Sequence, residues 1–202
     1  MYVILGVSII ALALFLERGS FLYLRLNLNT DKVFQKIMFS LEKSNYRDAL
    51  EECARIEKHP LGRILKAGLL KSGKRDKEIE LAMEENILRE IPLVKARINY
   101  LAMLANISTL LGLLGTIVGL ITAFQGVSSA NMAMKQEILA SGISVAMFTT
   151  AFGLMVAIPC IAGYYILNNR GDYLIEKFDE KALSLLNVLS SLKMDKRLQC
   201  QE

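Results

Sequence analysis

Apolar and polar positions along the chain fall into blocks. No Asp, Glu, Lys or Arg occurs from Ile98 to Met134, and none from Ile138 to Asn169. A membrane span takes roughly 17–25 apolar residues, so each block holds one span with helix to spare. A third apolar run, Tyr2 to Leu16, is shorter and stops at Glu17-Arg18. A cleaved signal peptide would place basic residues ahead of such a run and a small-residue cleavage site behind it. Here the charges follow directly, so a first membrane helix is expected over residues 1–17. The second is expected over 98–125 and the third over 137–168, joined by a short loop, 126–136.

The segment between the first two spans, 18–97, is periodic in a different way. Val33, Ile37 and Leu41, then Tyr46, Ala49, Leu50, Cys53 and Ile56 repeat at helical spacing, with a turn at Ser44-Asn45. His59-Pro60 should end that helix, and "LGRILKAGLLKSG" supplies a short amphipathic one closed by Gly73. From Asp76 strong helix formers run on, and only Pro92 interrupts them before the second span. The pattern predicts a nearly continuous helix over 76–125, kinked near Pro92. The second span alone would be about 42 Å long at ~1.5 Å per residue. A hydrocarbon core is roughly 30 Å thick, so the span must tilt or protrude. The third span continues into the tail, 169–202, as an extended helix with an apolar stripe at Leu174, Phe178, Leu185, Leu189 and Leu192. The expected fold is all-α: an integral membrane protein with three transmembrane helices and long helices extending into the cytoplasm.

Charge sets the expected orientation. Of the 24 Lys and Arg, 17 lie between Arg18 and Arg97, and Lys135 alone lies between the two long apolar blocks. The positive-inside rule puts residues 18–97 and the C-terminal tail in the cytoplasm and the N-terminus outside. The net charge of +4 does not point to nucleic acid, because the basic residues are interleaved with acidic ones as on solvated helix faces. Arg18, Arg25, Arg97 and Arg170 flank the spans, where anionic lipid headgroups are expected partners. Cys53 and Cys200 fall on the reducing side and Cys160 within the third span, so no disulfide framework is expected.

Nothing suggests an enzyme. The single histidine, His59, sits in a polar stretch and reads as a solvated surface residue. No Cys/His/Asp cluster has metal-ligand spacing, and no glycine-rich loop has the strand and Lys-Ser/Thr that phosphate binding needs. No cofactor is expected. Glu137, at the outer end of the third span, reads as an interfacial charge, with attraction of cations to the outer mouth as the alternative.

The two uncharged helices are unusual in their small residues. Gly112, Gly115 and Gly119 recur every three or four positions in "LLGLLGTIVGLITAFQG", with Thr116 among them. Gly142, Ala146, Thr150, Gly153 and Ala157 make a matching face on the third span, and Thr149 lies beside it. Such stripes let two helix backbones approach closely. They can also line a narrow polar path, and the two uses are compatible.

"LLGLLGTIVGLITAF", followed after a short loop by "GISVAMFTTAFGLMVAIP", resembles the two signature helices of the MotA/TolQ/ExbB proton-channel family. "ALALFLERGSFLYL" is similar to its first span, and "REIPLVKARINYLAMLANIS" to the approach to its second. Three spans, rather than four, point to the ExbB/TolQ branch. The resemblance implies a homopentamer in the bacterial inner membrane, whose second and third helices enclose two copies of a single-span ExbD/TolR-type partner. That partner supplies the proton-carrying aspartate, and a TonB- or TolA-like protein is a further partner the resemblance allows. The family's pore threonines fall on Thr116 and Thr150. Neither long span holds a titratable residue of its own suited to a proton relay, Glu137 standing at the outer end of the third, and intramembrane carboxylates are the usual relay groups.

Two positions depart from the family pattern. Val145 stands where many ExbB and TolQ sequences carry a glutamate, and Thr109 where a proline commonly precedes "LLGL". The first weakens assignment to the TonB or Tol system in particular. The competing expectation is a membrane scaffold without ion traffic, in which the glycines serve only helix contact.

Overall fold

The computed structural model describes residues 2–26, 30–43, 45–129, 131–132 and 134–199. Ser44, Cys200, the side chain of Arg25 and positions 130 and 133 of the expected 126–136 loop lie outside them. Among the described residues the chain is helical, with no strand. Helix α1 spans Tyr2–Ser20 and runs into one π-helical turn, Phe21–Arg25. There follow α2 (Thr30–Glu42), α3 (Tyr46–Arg55), α4 (Pro60–Leu70), α5 (Asp76–Lys95), α6 (Ile98–Ser129) and α7 (Lys135–Gln199). Three stretches, Tyr2–Leu24, Asp76–Ser128 and Lys135–Met194, contain helices long and apolar enough to cross a membrane. The chain divides into two compact units, Met1–Gly19 with Arg97–Asn168, and Ser20–Ala96 with Asn169–Glu202.

The first unit holds α1, α6 and the first half of α7. Gly163 of α7 lies under the Phe15 ring of α1, where an added Cβ would come within 2.8 Å of Cδ2. Glu17 of α1 accepts a hydrogen bond from Arg97 Nη1 at 2.7 Å. Arg97 is the one described non-glycine residue with positive φ, 62°. The backbone therefore breaks between α5 and α6 at this residue, while α5 carries Pro92 inside it and persists to Lys95. A left-handed L-residue costs about 1–2 kcal/mol. The half-exposed pair with Glu17 offsets only part of that, since surface ion pairs contribute about 0–1 kcal/mol. The helical run expected over 76–125 is therefore interrupted at Ala96-Arg97, while α5 continues through Pro92. A left-handed residue ends a helix.

The second unit is a bundle of α2 to α5 with the distal half of α7. Its core takes Ile37 and Leu41 from α2, Ile64, Leu65 and Leu69 from α4, Ile79 and Met83 from α5, and Leu174, Phe178, Leu185 and Leu189 from α7. The tail stripe expected from periodicity is buried as expected, except that Leu192 is only half-buried. Asn45 caps α3, its side-chain oxygen accepting from the Asp48 N–H. Burial pushes the Cys53 thiol up to about 12, which leaves it a small packing residue. Ion pairs tie α7 to its neighbours: Lys181 and Lys177 to Asp31 at 3.2 and 3.4 Å, Lys193 to Asp76 at 2.8 Å and Lys95 to Asp172 at 2.6 Å.

Two polar groups are buried here. Glu90 of α5 takes both forks of Arg63 from α4, Nε at 2.6 Å and Nη2 at 2.7 Å. His59, expected in solvent, is 4% exposed. The polar residues around it in sequence turn outward, while the imidazole caps α4 and faces inward. The basic flank is also less open than expected. Arg18 is buried, its long stem being suited to lie along apolar surface. The Arg170 guanidinium lies over the Tyr23 and Tyr173 rings.

Candidate functional site

The two small-residue stripes face each other. A Cβ built on Gly112 would meet Gly153 Cα and Thr150 Cα, both at 3.3 Å. One on Gly119 would meet Ala146 Cβ at 2.8 Å, one on Gly115 would meet the Thr149 side chain at 2.7 Å, and one on Gly142 would clash with Ala123. Glycine and alanine at these positions let α6 and α7 approach nearly backbone to backbone over three to four turns. Gly112, Gly115, Gly119, Gly142, Ala146 and Gly153, all singled out by spacing, belong to this seam.

Two hydroxyls cross it. Thr150 Oγ1 donates to the Gly112 carbonyl at 3.1 Å, and Ser108 Oγ donates to the Gly153 carbonyl at 3.0 Å. Ser108 is fully buried and was not singled out from sequence. Its signal was available, since it stands four residues before Gly112 on the same helical face. Two further hydroxyls bond within their own helices. Thr149 Oγ1 donates to Ala146 O at 2.7 Å, and Thr116 Oγ1 to Leu113 O at 2.6 Å. Each hydroxyl oxygen keeps lone pairs that can still accept. The structure therefore brings Thr149 and Thr150 to the seam and leaves Thr116 bonded locally on α6.

Away from the seam, both helices present an apolar surface. Leu113, Leu114, Ile117, Val118 and Phe124 of α6 are exposed, as are Met147, Phe148 and Met155 of α7. Val145 is exposed among the latter. A face of this kind suits lipid or another apolar helix, and it offers a proton no carrier. Among the described residues, no group of three or more His, Cys, Asp or Glu is placed to hold a metal ion.

A sequence model of the MotA/TolQ/ExbB proton channel family matches residues 56–180, from the end of α3 through both signature helices. The chain belongs to the MotA/TolQ/ExbB family. Among relatives, it is 41% identical to the biopolymer transport protein exbB1 of Vibrio cholerae over 44% of this chain and 38% of that one. It is 33% identical to the ExbB-like 3 protein of a Synechocystis species, over 78% of this chain and 75% of that one. The Tol-Pal system protein TolQ of Haemophilus influenzae is 37% identical over 44% of this chain and 39% of its own length. The matched stretches thus span about two fifths of the Vibrio and Haemophilus proteins. These relatives place the chain on the ExbB/TolQ branch of the MotA/TolQ/ExbB family, as a multi-pass membrane protein.

Proposed function

We propose that this chain is the sleeve subunit of a motor driven by the proton-motive force in a bacterial inner membrane. Five copies would surround a dimer of an ExbD/TolR-type single-span partner and couple proton flow to work on the cell envelope, of TonB-like or Tol-like kind. In this reading the N-terminus and the α6–α7 turn face outward, and the second unit and the tail lie in the cytoplasm, following the basic residues. The observation that carries it is electrical emptiness. Two long helices of a proton-channel family member hold no Asp, Glu, Lys, Arg or His from Ile98 to Met134 or from Ile138 to Asn169. A proton crossing them must ride on a carboxylate from another polypeptide.

The physics of coupling follows. A charge moving through the membrane potential gains about 2.3 kcal/mol per 100 mV. That energy biases a conformational step only if protonation changes how the carrier fits its surroundings. A neutral sleeve makes an ionised aspartate costly and a protonated one tolerable. Thr116, Thr149 and Thr150 are the polar groups we assign to that wall, accepting or donating hydrogen bonds without adding charge. Val145 leaves the wall apolar at the position where the family pattern implies an acid, which separates this chain from that pattern rather than supporting it.

Reconstitution tests the central claim. In liposomes under an imposed potential, the chain alone should pass no protons above the lipid background, and the chain with its single-span partner should. Conduction by the chain alone would overturn the borrowed-carboxylate reading. The residue claim has its own test. Thr150→Val should lose proton-coupled work almost completely, whereas Thr150→Ser, which keeps the bond to Gly112, should retain it. Loss of the bond alone costs about 0.6 kcal/mol in membrane helices, too little to disperse the assembly. Full activity in Thr150→Val would remove this residue from the wall. Since the small-residue seam serves helix contact in any case, the glycines do not separate the motor from a passive scaffold; the flux measurement does.

A further inference from the structure

His59 is held on three sides within the second unit. Its Nδ1 accepts the Leu61 N–H at 3.2 Å, capping the first turn of α4. Because that nitrogen must be bare to accept, the ring hydrogen of the neutral imidazole sits on Nε2. Nε2 faces the Leu26 carbonyl at 3.4 Å, on the segment that leaves the π-helical turn. The ring stands edge-on to Phe178 of α7, with centroids 5.9 Å apart. One side chain therefore joins the N-terminus of α4 to the chain that follows α1 and to α7.

Only the neutral ring can do this. A proton added to Nδ1 would point a second N–H at the Leu61 N–H, where there is no acceptor between them. It would also place a cation at a helix N-terminus, the unfavourable end of the helix dipole. Two charged groups act on the ring from the elements packed around it. Arg63, on α4, opposes a further positive charge, and Glu90, on α5, favours one. Glu90 is already engaged by both forks of Arg63, so it is not free to turn to the imidazole. The Leu26 segment offers a carbonyl, and α7 offers an apolar ring.

We propose that His59 is an acid-sensitive latch: its protonation releases the cap of α4 and loosens this helix from the Leu26 segment and from Phe178. Burial, the largest influence, holds the imidazole below its ordinary 6.5; the Leu26 carbonyl pulls the other way. A depressed value in the folded state gives the sign. The latch is at full strength above about pH 6.5 and weakens as pH falls toward the folded value, because the opened state takes up the proton first. The latch does not depend on how the membrane helices are read. Its consequence does: on the motor reading, protons accumulating on the cytoplasmic side would slacken the bundle attached to the sleeve.

Two measurements on the full-length protein in lipid nanodiscs test it without recourse to activity. His59 is the only histidine in the chain, so its ring is a unique nuclear magnetic resonance signal. The expected result is the Nε2–H form at neutral pH, titrating below 6.5. An Nδ1–H form, or titration at or above 6.5, would overturn the latch. Hydrogen exchange across residues 56–66 supplies the second readout, with rates corrected for the intrinsic pH dependence of exchange. The opening constant should rise by up to about tenfold per pH unit below 6.5, reflecting one proton taken up on opening. His59→Asn keeps a good cap without a titratable ring and should flatten that rise. An equal rise in His59→Asn, or a flat profile in the parent chain, would each sink the proposal.

Discussion

Gly153→Leu is expected to separate α6 from α7 and destabilise the first unit by about 2–3 kcal/mol. A Cβ at residue 153 would stand 2.8 Å from the Ser108 carbonyl oxygen and 3.0 Å from Gly112 Cα. Both obstacles are backbone, so no side chain can swing away to make room. Forcing a larger residue into a filled contact costs about 1–3 kcal/mol. The separation would also break the Ser108–Gly153 and Thr150–Gly112 bonds, at about 0.6 kcal/mol each. Against this, leucine gains about 0.8 kcal/mol over glycine in helix propensity. Equilibrium unfolding in mixed micelles against dodecyl sulfate reads the difference directly. The matched control is Gly6→Leu in α1, which has nothing within 4 Å of its Cβ position. An unfolding midpoint for Gly153→Leu equal to that of the control would mean the seam is not closed as described.

The second large effect lies in the helical bundle. Glu90→Ala should cost about 2–3 kcal/mol, between the value of a charged hydrogen bond and that of a fully buried pair left with one partner. The Glu90 side chain is 8% exposed and Arg63 is 38% exposed, so water compensates the orphaned guanidinium only in part. Its remaining bond, from Nη1 to the Glu57 carbonyl at 3.3 Å, is long. The double variant Arg63→Met, Glu90→Leu should recover most of the loss, because an apolar pair leaves no buried charge. Thermal unfolding of the single and double variants closes the cycle. If Glu90→Ala and the double variant lose equal stability, the cost comes from shape and not from the stranded charge.

Much of the membrane part is legible in one dimension. Absence of charge over a bilayer's thickness marks a span whatever it touches, and the stretches 98–125 and 137–168 lie inside α6 and α7. The tail stripe at Leu174, Phe178, Leu185 and Leu189 is legible for a similar reason, since helical periodicity needs no knowledge of a partner. The stripes of Gly and Ala were visible too. What they faced was not, because spacing states which residues share a face and says nothing of what lies opposite.

Other features were hidden for the same physical reason. Arg63 and Glu90 stand 27 positions apart, and His59 meets Leu26 across 33. A polar residue in a polar stretch reads as solvated until the fold buries it, as happened to His59. The break at Arg97 carries no glycine to announce it, so Pro92 drew the expectation instead.

Sequence by itself determined that this chain is all-helical, that three of its stretches can live in lipid, and that two of them bring no charge there. Those properties depend on local composition and period, which hydration alone makes decisive. Only the tertiary structure decided that the two small faces close on each other, that Ser108 and Thr150 bridge them, and that His59 is enclosed. Each of those outcomes depends on which surfaces meet, and that is settled by the sum of many weak contacts across the whole chain.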